Sequence, residues 1–160
     1  MNKTIKFKKI NYLFWLFLLL FNFSFSVFSQ MTSFEWLSLK YDKTYLRSGP
    51  SKHNKVLWTY KKKGLPIKVI RKKGDWYEVE MPERITGWIS STQISFKRRV
   101  LVISDELIDI RRKEQRTSKV IAKVGKNVVG ELIGCQKTIC KIDYYKIEGF
   151  IEKEFLWGVD

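Results

Sequence analysis

Histidine and cysteine, the residues most often found in metal sites and nucleophilic active sites, are scarce in this sequence. The 160 residues include one histidine, His53, and two cysteines, Cys135 and Cys140. Zinc sites normally need four ligands, and their cysteines are usually spaced C-x2-C rather than the C-x4-C found here. A Ser-His-Asp arrangement would need His53, which lies in the polar turn GPSKHNK. We therefore expect no metal, no cofactor and no nucleophile–base pair, and predict that the protein is not an enzyme.

Carboxylates offer the remaining route to acid–base catalysis. Asp42, Asp75, Glu78 and Glu80 are the candidates, but nothing in their spacing marks two of them as a pair.

Acidic residues are also few, since 16 Asp and Glu stand against 31 Lys and Arg, for a formal charge of +15. Such an excess favours an anionic partner. A bias towards Lys, as an AT-rich genome would produce, explains the same composition without any partner.

No apolar run reaches the roughly 20 residues that a membrane-spanning helix needs. A lysine-bearing segment that contains no acid, 1–12, precedes the wholly apolar run Leu13–Phe21, and Val27-Phe28-Ser29 fits a signal-peptidase site. We predict a signal peptide over 1–29, cleaved near Ser29, and hence a periplasmic or secreted protein. A retained membrane anchor is the alternative. Export makes nucleic acid an unexpected partner and leaves anionic surfaces of the cell envelope.

Helical periodicity is absent from the remainder of the chain, and short apolar or alternating runs recur between Gly, Pro, Asp or Lys-rich turns. This pattern predicts an all-β protein. The expected strands include 37–39, 56–58, 65–70, 76–81 and 88–89.

Two basic clusters, Lys61–Lys63 and Arg71–Lys73, flank the expected strand Leu65–Ile70. Six residues of strand separate them by roughly 20 Å, about two Debye lengths in physiological salt. We therefore predict two charged turns rather than one binding site for a small anion.

An internal repeat is visible at a nearly constant offset. Leu46-Arg47 corresponds to Ile110-Arg111, and Gly87-Trp88-Ile89 to Gly149-Phe150-Ile151. Trp76-Tyr77-Glu78-Val79 corresponds to Ile139-Cys140-Lys141-Ile142. The repeat predicts domains at 30–95 and 96–160, with a boundary near 96–99.

The first repeat resembles the bacterial SH3-type (SH3b) domain. Its signature elements are the start YLRSGPS, the KG turn at Lys63-Gly64, the strand GDWYEV and the close GWI, and all occur in order within residues 45–89. The layout as a whole resembles short secreted SH3-domain proteins of proteobacteria. The resemblance implies two tandem small SH3-like barrels after the signal peptide. The second repeat is divergent, because it has Arg111 but no Gly-Pro-Ser, and Ile139 where the family usually has Trp.

Cys135 and Cys140 flank the turn QKTI of a predicted hairpin. Opposed strand positions lie within disulfide range, and export places the thiols in an oxidising compartment. The spacing fits neither zinc ligation nor a C-x-x-C redox motif. We predict a structural disulfide.

Six large aromatic residues lie within residues 45–89 of the first repeat, more than its core can bury. We predict that some form a shallow groove for an extended peptide or a sugar ring. Trp76 and Val79 are three apart, so they point to opposite faces of a strand. Packing between the barrels is the alternative use of these rings. The candidate groove residues are Tyr45, Trp58, Trp76 and Trp88.

Together these features predict a non-catalytic exported binding module for cell-envelope peptide or glycan, of the peptidoglycan type. Attraction to anionic surfaces would assist it. The alternative is a structural or assembly protein of the envelope that binds a protein partner through exposed aromatic residues.

Overall fold

The computed structural model describes residues 35–160, which belong to one compact unit spanning 33–160. The predicted signal peptide at 1–29 lies outside the described residues. Within 35–160, no helix has the length and apolar character needed to cross a membrane.

The described chain is all-β, as predicted, and forms two seven-stranded antiparallel sheets. Two short 3-10 helices, Ser91–Gln93 and Lys153–Phe155, precede the last strand of each sheet. The first sheet contains β1 (Trp36–Leu39), β2 (Thr44–Arg47), β3 (Val56–Tyr60), β4 (Pro66–Lys73), β5 (Trp76–Glu80), β6 (Thr86–Ser90) and β7 (Ile94–Ser95). The second contains β8 (Arg99–Val102), β9 (Ile108–Arg111), β10 (Val120–Val124), β11 (Val129–Gln136), β12 (Ile139–Tyr144), β13 (Ile147–Glu152) and β14 (Leu156–Trp157).

The strand order is the same in both sheets when each strand is replaced by its counterpart. The first sheet runs β3-β2-β6-β5-β4-β1-β7, and the second runs β10-β9-β13-β12-β11-β8-β14. Within the described residues, the outermost strands of a sheet do not pair with each other. By strand pairing, each sheet is therefore open, whereas the family resemblance implied two closed barrels.

Motifs paired in the sequence occupy matching positions in the two sheets. Arg47 lies opposite Trp88 in the first sheet, and Arg111 lies opposite Phe150 in the second. Gly87 lies close to Leu46 and the Arg47 carbonyl, so a Cβ there would come within 2.7 and 2.9 Å of them. Its counterpart Gly149 likewise lies close to Ile110 and the Arg111 carbonyl. Both glycines therefore allow a close approach of neighbouring strands that a larger residue would obstruct.

Strand β4 is longer than predicted, because Arg71, Lys72 and Lys73 continue the strand rather than form a turn. A register shift between Val69 and Arg71 lets the strand continue past Ile70 while its basic residues remain exposed. Turns occur at Gly64 and Gly74, which have φ of 77° and 55°. The sequence predicts a charged turn at Arg71–Lys73, but these residues form the solvated end of a long hairpin.

The core of the first sheet includes residues from the second half of the chain. Leu101 and Trp157 are buried in it with Trp36, whose ring meets that of Trp157 edge to face at a centroid distance of 4.9 Å. Trp157 Nε1 donates a hydrogen bond to the Pro66 carbonyl at 3.0 Å, and Trp36 Nε1 donates one to the Asp160 carboxylate at 2.8 Å. The C-terminal segment therefore joins the two sheets through buried aromatic contacts.

The predicted disulfide is confirmed. Cys135 on β11 and Cys140 on β12 are directly opposed, their Cα atoms are 4.0 Å apart, and their sulfurs are bonded. The bond closes the hairpin next to its turn.

Candidate functional site: the Trp76 cleft

The four candidate aromatic residues do not share one face of the first sheet. Cross-strand partners point to the same face, and Trp88 is opposed to both Arg47 and Glu78. Tyr45 precedes Arg47 by two residues, and Trp76 precedes Glu78 by two, so both rings lie on that outer face with Trp88. Trp58 is opposed to the buried Leu46 and lies on the other face.

Trp58 stands apart on strand β3, which forms one edge of the first sheet. Its side chain is 55% exposed, and its neighbours Val56 and Leu57 are exposed as well. Trp58 therefore does not belong to a groove with the other three rings.

Trp88 is only 6% exposed and offers no open surface, which corrects its assignment to a groove. The guanidinium of Arg71 lies 5.4 Å from the centre of the ring and is held there by an ion pair with Glu78. Such a contact satisfies the indole face with a cation. Trp88 points outward, as the alternation of the strand requires, but long side chains on the same face cover it.

Tyr45 is half-buried and is also associated with cations. The Lys43 ammonium lies 5.3 Å from the ring centre and the Arg47 guanidinium 5.7 Å from it. The ring is therefore less available to a ligand than the sequence suggested.

Trp76 lines a cleft of about 540 Å³ on the first sheet. Val79 on the same strand is fully buried, whereas Trp76 is half-buried, as the predicted opposition of the two side chains requires. The remaining walls come from the turn after β2 and from the 3-10 helix after β6. The lining residues are Pro50, Ser51, Lys52, His53, Asp75, Trp76, Ser90, Ser91 and Thr92.

The turn that forms one wall of the cleft is stabilised by a hydrogen bond from Arg47. Arg47 Nη1 donates a hydrogen bond to the Asn54 carbonyl at 2.8 Å, and the Ser51 hydroxyl accepts one from the His53 backbone at 3.2 Å. A Cβ at Gly49 would come within 2.9 Å of the Asn54 side chain, so glycine allows the turn to close. The Arg-x-Gly-Pro-Ser motif thereby shapes this wall.

The 3-10 helix that forms the opposite wall is tied to the same strand end as Trp76. The Ser91 backbone N–H donates to the Asp75 carbonyl at 2.8 Å, and the hydroxyls of Ser90 and Thr92 are 3.1 Å apart. Both walls are therefore fixed by hydrogen bonds, and they present hydroxyl groups beside the indole.

Sequence reasoning missed two members of this cleft. The sequence predicts His53 in a polar turn and marks Asp75 only as a candidate acid without a partner, yet both line the cleft with Trp76. The position of His53 directly after Gly-Pro-Ser was the available signal. An indole face with hydroxyls, an imidazole and a carboxylate can stack on a sugar ring or pack against an extended peptide while hydrogen-bonding its polar groups.

The candidate carboxylates are not gathered into one site. Glu78 pairs with Arg71, and Glu80 accepts a hydrogen bond from Arg84 at 2.9 Å. Asp42 lines a different cleft from Asp75. Within residues 35–160, no cluster of three or more His, Cys, Asp or Glu side chains is arranged to hold a metal ion.

Tyr60, at the end of β3, has a pKa above its ordinary value. Burial raises the pKa of the phenol, and Glu83, whose carboxylate accepts a hydrogen bond from Tyr60 at 3.3 Å, raises it further. Tyr60 therefore stays protonated at neutral pH and acts here as a hydrogen-bond donor.

Comparison with known proteins identifies the segment that contains this cleft. Residues 40–95 match the family model described as bacterial SH3 domain, which confirms the resemblance seen in the first repeat. All residues of the Trp76 cleft fall inside the match. A search of the curated proteins finds no match.

Two solved structures of Trichomonas vaginalis proteins are similar to this chain at low sequence identity. NlpC2 has 14% identity and a TM-score of 0.36 over 78% of this chain and 48% of its own. NlpC1 has 12% identity and a TM-score of 0.36 over 83% of this chain and 50% of its own. The chain thus spans about half the length of each of these structures.

Proposed function

We propose that the bacterial SH3 domain at residues 40–95 makes this protein a non-catalytic, exported binding module for cell-envelope peptide or glycan of the peptidoglycan type. The observation that carries the proposal is the half-buried Trp76 indole in a cleft of about 540 Å³, inside the family match. Export rests on the signal-like pattern of residues 1–29.

In this proposal, Trp76 supplies the contact area, and the polar groups of the cleft orient the ligand. The hydroxyls of Ser51 and Ser91 hydrogen-bond the ligand's amides or hydroxyls, and the Asp75 carboxylate accepts from an amine or hydroxyl. Lys52 at the rim and the basic end of β4 speed the encounter with an anionic surface.

We propose further that the second sheet is a divergent SH3-type barrel. Its strand order, the Arg111–Phe150 pairing and the close approach at Gly149 match the first sheet. Ile139 occupies the place of Trp76, so the second sheet lacks the indole of the first cleft. In this proposal, it supports the binding domain and does not duplicate its site.

The test is a pull-down of the purified protein on isolated peptidoglycan at low salt. Wild-type protein should sediment with the wall material, and Trp76→Ala should remain in the supernatant because the stacking surface is lost. Trp58→Ala is the matched control, since it removes an indole from the other face and should still sediment. Wild-type protein that stays in the supernatant, or equal binding by Trp76→Ala, would contradict the proposal.

A second candidate function is assembly with an envelope protein. The edge strand β3 favours it, because Val56, Leu57 and Trp58 are 36%, 42% and 55% exposed on an outermost strand. Exposed apolar edge strands are suited to pairing with a strand of another chain. If this function is the correct one, Trp58→Ala rather than Trp76→Ala abolishes complexes seen by cross-linking and light scattering.

A further inference from the structure

A second cleft, of about 720 Å³, lies between the two sheets and is lined by residues from both. The first sheet contributes Asp42 and the segment Lys61–Gly64, and the second contributes the remainder. The segment Lys61–Lys63 thus lies beside basic residues of the second sheet, and its neighbour in the sequence, Arg71–Lys73, is absent from the lining. The remaining lining residues are Arg99, Asn127, Val128, Val129, Glu131, Asp143, Tyr144, Tyr145 and Lys146.

Several charged groups of the cleft have structural roles. The Lys62 ammonium donates to the Asn127 carbonyl and joins the two sheets. Arg99 lies 3.5 Å from the Glu131 carboxylate, and the Asp143 carboxylate accepts from the Lys146 backbone at 2.8 Å.

Three ammonium groups of the cleft are available to a ligand. Across residues 35–160, no carboxylate forms an ion pair with Lys61, Lys63 or Lys146, and all three side chains are exposed. They carry positive charge on both sides of the cleft.

The hairpin that closes the cleft has an unfavourable choice of turn residues. Tyr145 and Lys146 form the two-residue loop between β12 and β13, with φ of 48° and 68°. Such a loop strongly prefers Asn or Gly, because a Cβ is strained at positive φ. Strain of this kind at an exposed loop points to a role for the side chains that cause it.

The aromatic side chain at this loop is oriented and open to solvent. Tyr145 is 85% exposed, and its ring contacts that of Tyr144 edge to face at a centroid distance of 4.9 Å. The mouth of the cleft therefore presents a phenol face next to the free ammonium groups.

We propose that this cleft binds an acidic glycan, a chain of saccharide rings that bear carboxylate groups. Tyr145 stacks on a ring, while Lys61, Lys63 and Lys146 pair with the carboxylates. The cleft also contains Asp42, Glu131 and Asp143, which oppose a densely charged polyanion but accept hydrogen bonds from hydroxyls. A ligand with sparse charge and many hydroxyls satisfies both sets of groups. This site is separate from the Trp76 cleft and does not depend on it.

The test titrates oligogalacturonate into the purified protein by calorimetry, with neutral maltooligosaccharide and poly-L-glutamate as comparison probes. Oligogalacturonate should bind more tightly than either. Equal binding of poly-L-glutamate would mean that charge alone, or an acidic peptide, is recognised. Equal binding of maltooligosaccharide would mean that the ammonium groups play no part. Either outcome overturns the proposal.

Tyr145→Gly separates binding from stability. Glycine suits the positive φ, so the variant should melt no lower than wild type while binding oligogalacturonate roughly tenfold more weakly, which corresponds to about 1.4 kcal/mol. Unchanged binding would overturn the stacking role and the proposal with it.

The charge contribution has its own matched control. The triple variant Lys61→Gln, Lys63→Gln, Lys146→Gln should lose binding, whereas Arg112→Gln, Lys113→Gln, Lys119→Gln, with the same net charge but outside the cleft, should retain it. Equal loss in both variants would show non-specific attraction and overturn the site. Trp76→Ala should bind oligogalacturonate like wild type; loss there would overturn the separation of the two sites, whatever the peptidoglycan pull-down shows.

Discussion

At the scale of single residues, one arginine in each sheet performs the same structural task. Arg47 Nη1 donates to the Asn54 carbonyl at 2.8 Å, and Arg111 Nη1 donates to the Ser118 carbonyl at 2.9 Å. Each bond closes the loop that follows the second strand of its sheet. Arg47 and Arg111 occupy corresponding positions of the sequence repeat, and these hydrogen bonds give them the same structural role.

Replacing these arginines separates stability from ligand binding. Arg47→Met and Arg111→Met should each lower the free energy of unfolding by about 1 kcal/mol, because a charged donor to a loop carbonyl is lost. Only Arg47→Met should weaken the sedimentation with peptidoglycan, since its loop forms a wall of the Trp76 cleft. Urea unfolding and the pull-down measure the two effects. Equal loss of sedimentation in both variants would show that the wall has no special part in binding.

The burial of Trp88 shows why the candidate site was only partly predictable from single residues. Alternation along β5 and β6 places Trp76 and Trp88 outward, and the structure agrees. What the sequence does not reveal is the register shift after Val69, which brings Arg71 opposite Glu78 and over the Trp88 ring. Whether an outward ring is open to a ligand depends on such neighbours, and these follow from pairing rather than from composition.

At the scale of strands and hairpins, one equivalent cross-strand pair is linked by a cation–π contact in the first sheet and by a disulfide in the second. Lys72 and Tyr77 are opposed in the first sheet, with the ammonium 5.2 Å from the ring centre. Cys135 and Cys140 occupy the corresponding pair in the second sheet. The disulfide was predictable because the C-x4-C spacing matches a hairpin with a two-residue turn. The continuation of β4 through its basic end was not predictable, because exposed lysines occur both in turns and at solvated strand ends.

The close approach of strands at Gly149 provides a test of the second sheet. A Cβ at Gly149 would overlap the Ile110 side chain and come within 2.8 Å of the Arg111 carbonyl, which belongs to the backbone and cannot turn aside. Gly149→Ala should therefore lower the free energy of unfolding by roughly 1–3 kcal/mol through overpacking. Denaturant unfolding measures the change.

Gly134→Ala is the matched control, because a Cβ there meets no atom within 4 Å. Its stability should remain close to that of wild type. A similar loss in both variants would show that glycine is needed for backbone freedom, and that contact with β9 is not the reason.

At the scale of the whole molecule, the sequence predicted an all-β protein but not the packing that unites its sheets. The sequence repeat predicts two similar domains, and no motif in either of them indicates that the two share a core. The residues that join them, Trp36 and Trp157, lie outside the motifs used to recognise the repeat. The sequence allows the aromatic residues within 45–89 to pack between the two units. The structure instead places Trp36 and Trp157, from the two ends of the described chain, in that contact.

This shared core predicts cooperative unfolding. Trp157 is 7% exposed, contacts Trp36, and hydrogen-bonds the Pro66 carbonyl, so its removal takes contacts from both sheets. Wild-type protein should unfold in one transition, and Trp157→Ala should lose roughly 3–5 kcal/mol, as buried tryptophans do. Because each sheet keeps its own strand pairing, the variant should unfold in two separate steps. Circular dichroism and tryptophan fluorescence monitor the unfolding.

Two further variants define what this result means. Asp160→Asn weakens only the hydrogen bond from Trp36 and should retain a single transition at a slightly lower midpoint, so it reports on the junction even if Trp157→Ala fails to fold. Trp58→Ala removes an exposed ring from the edge strand and should leave the midpoint unchanged. If Trp157→Ala unfolds in one transition with the stability of wild type, the Trp157 contacts are not what couples the two sheets, and other contacts such as the Lys62–Asn127 hydrogen bond do so. If wild-type protein unfolds in two steps, the sheets are independent, and the geometry of the cleft between them would vary as they move. Cooperative unfolding is therefore the physical condition for a fixed arrangement of Lys61, Lys63 and Lys146 across that cleft.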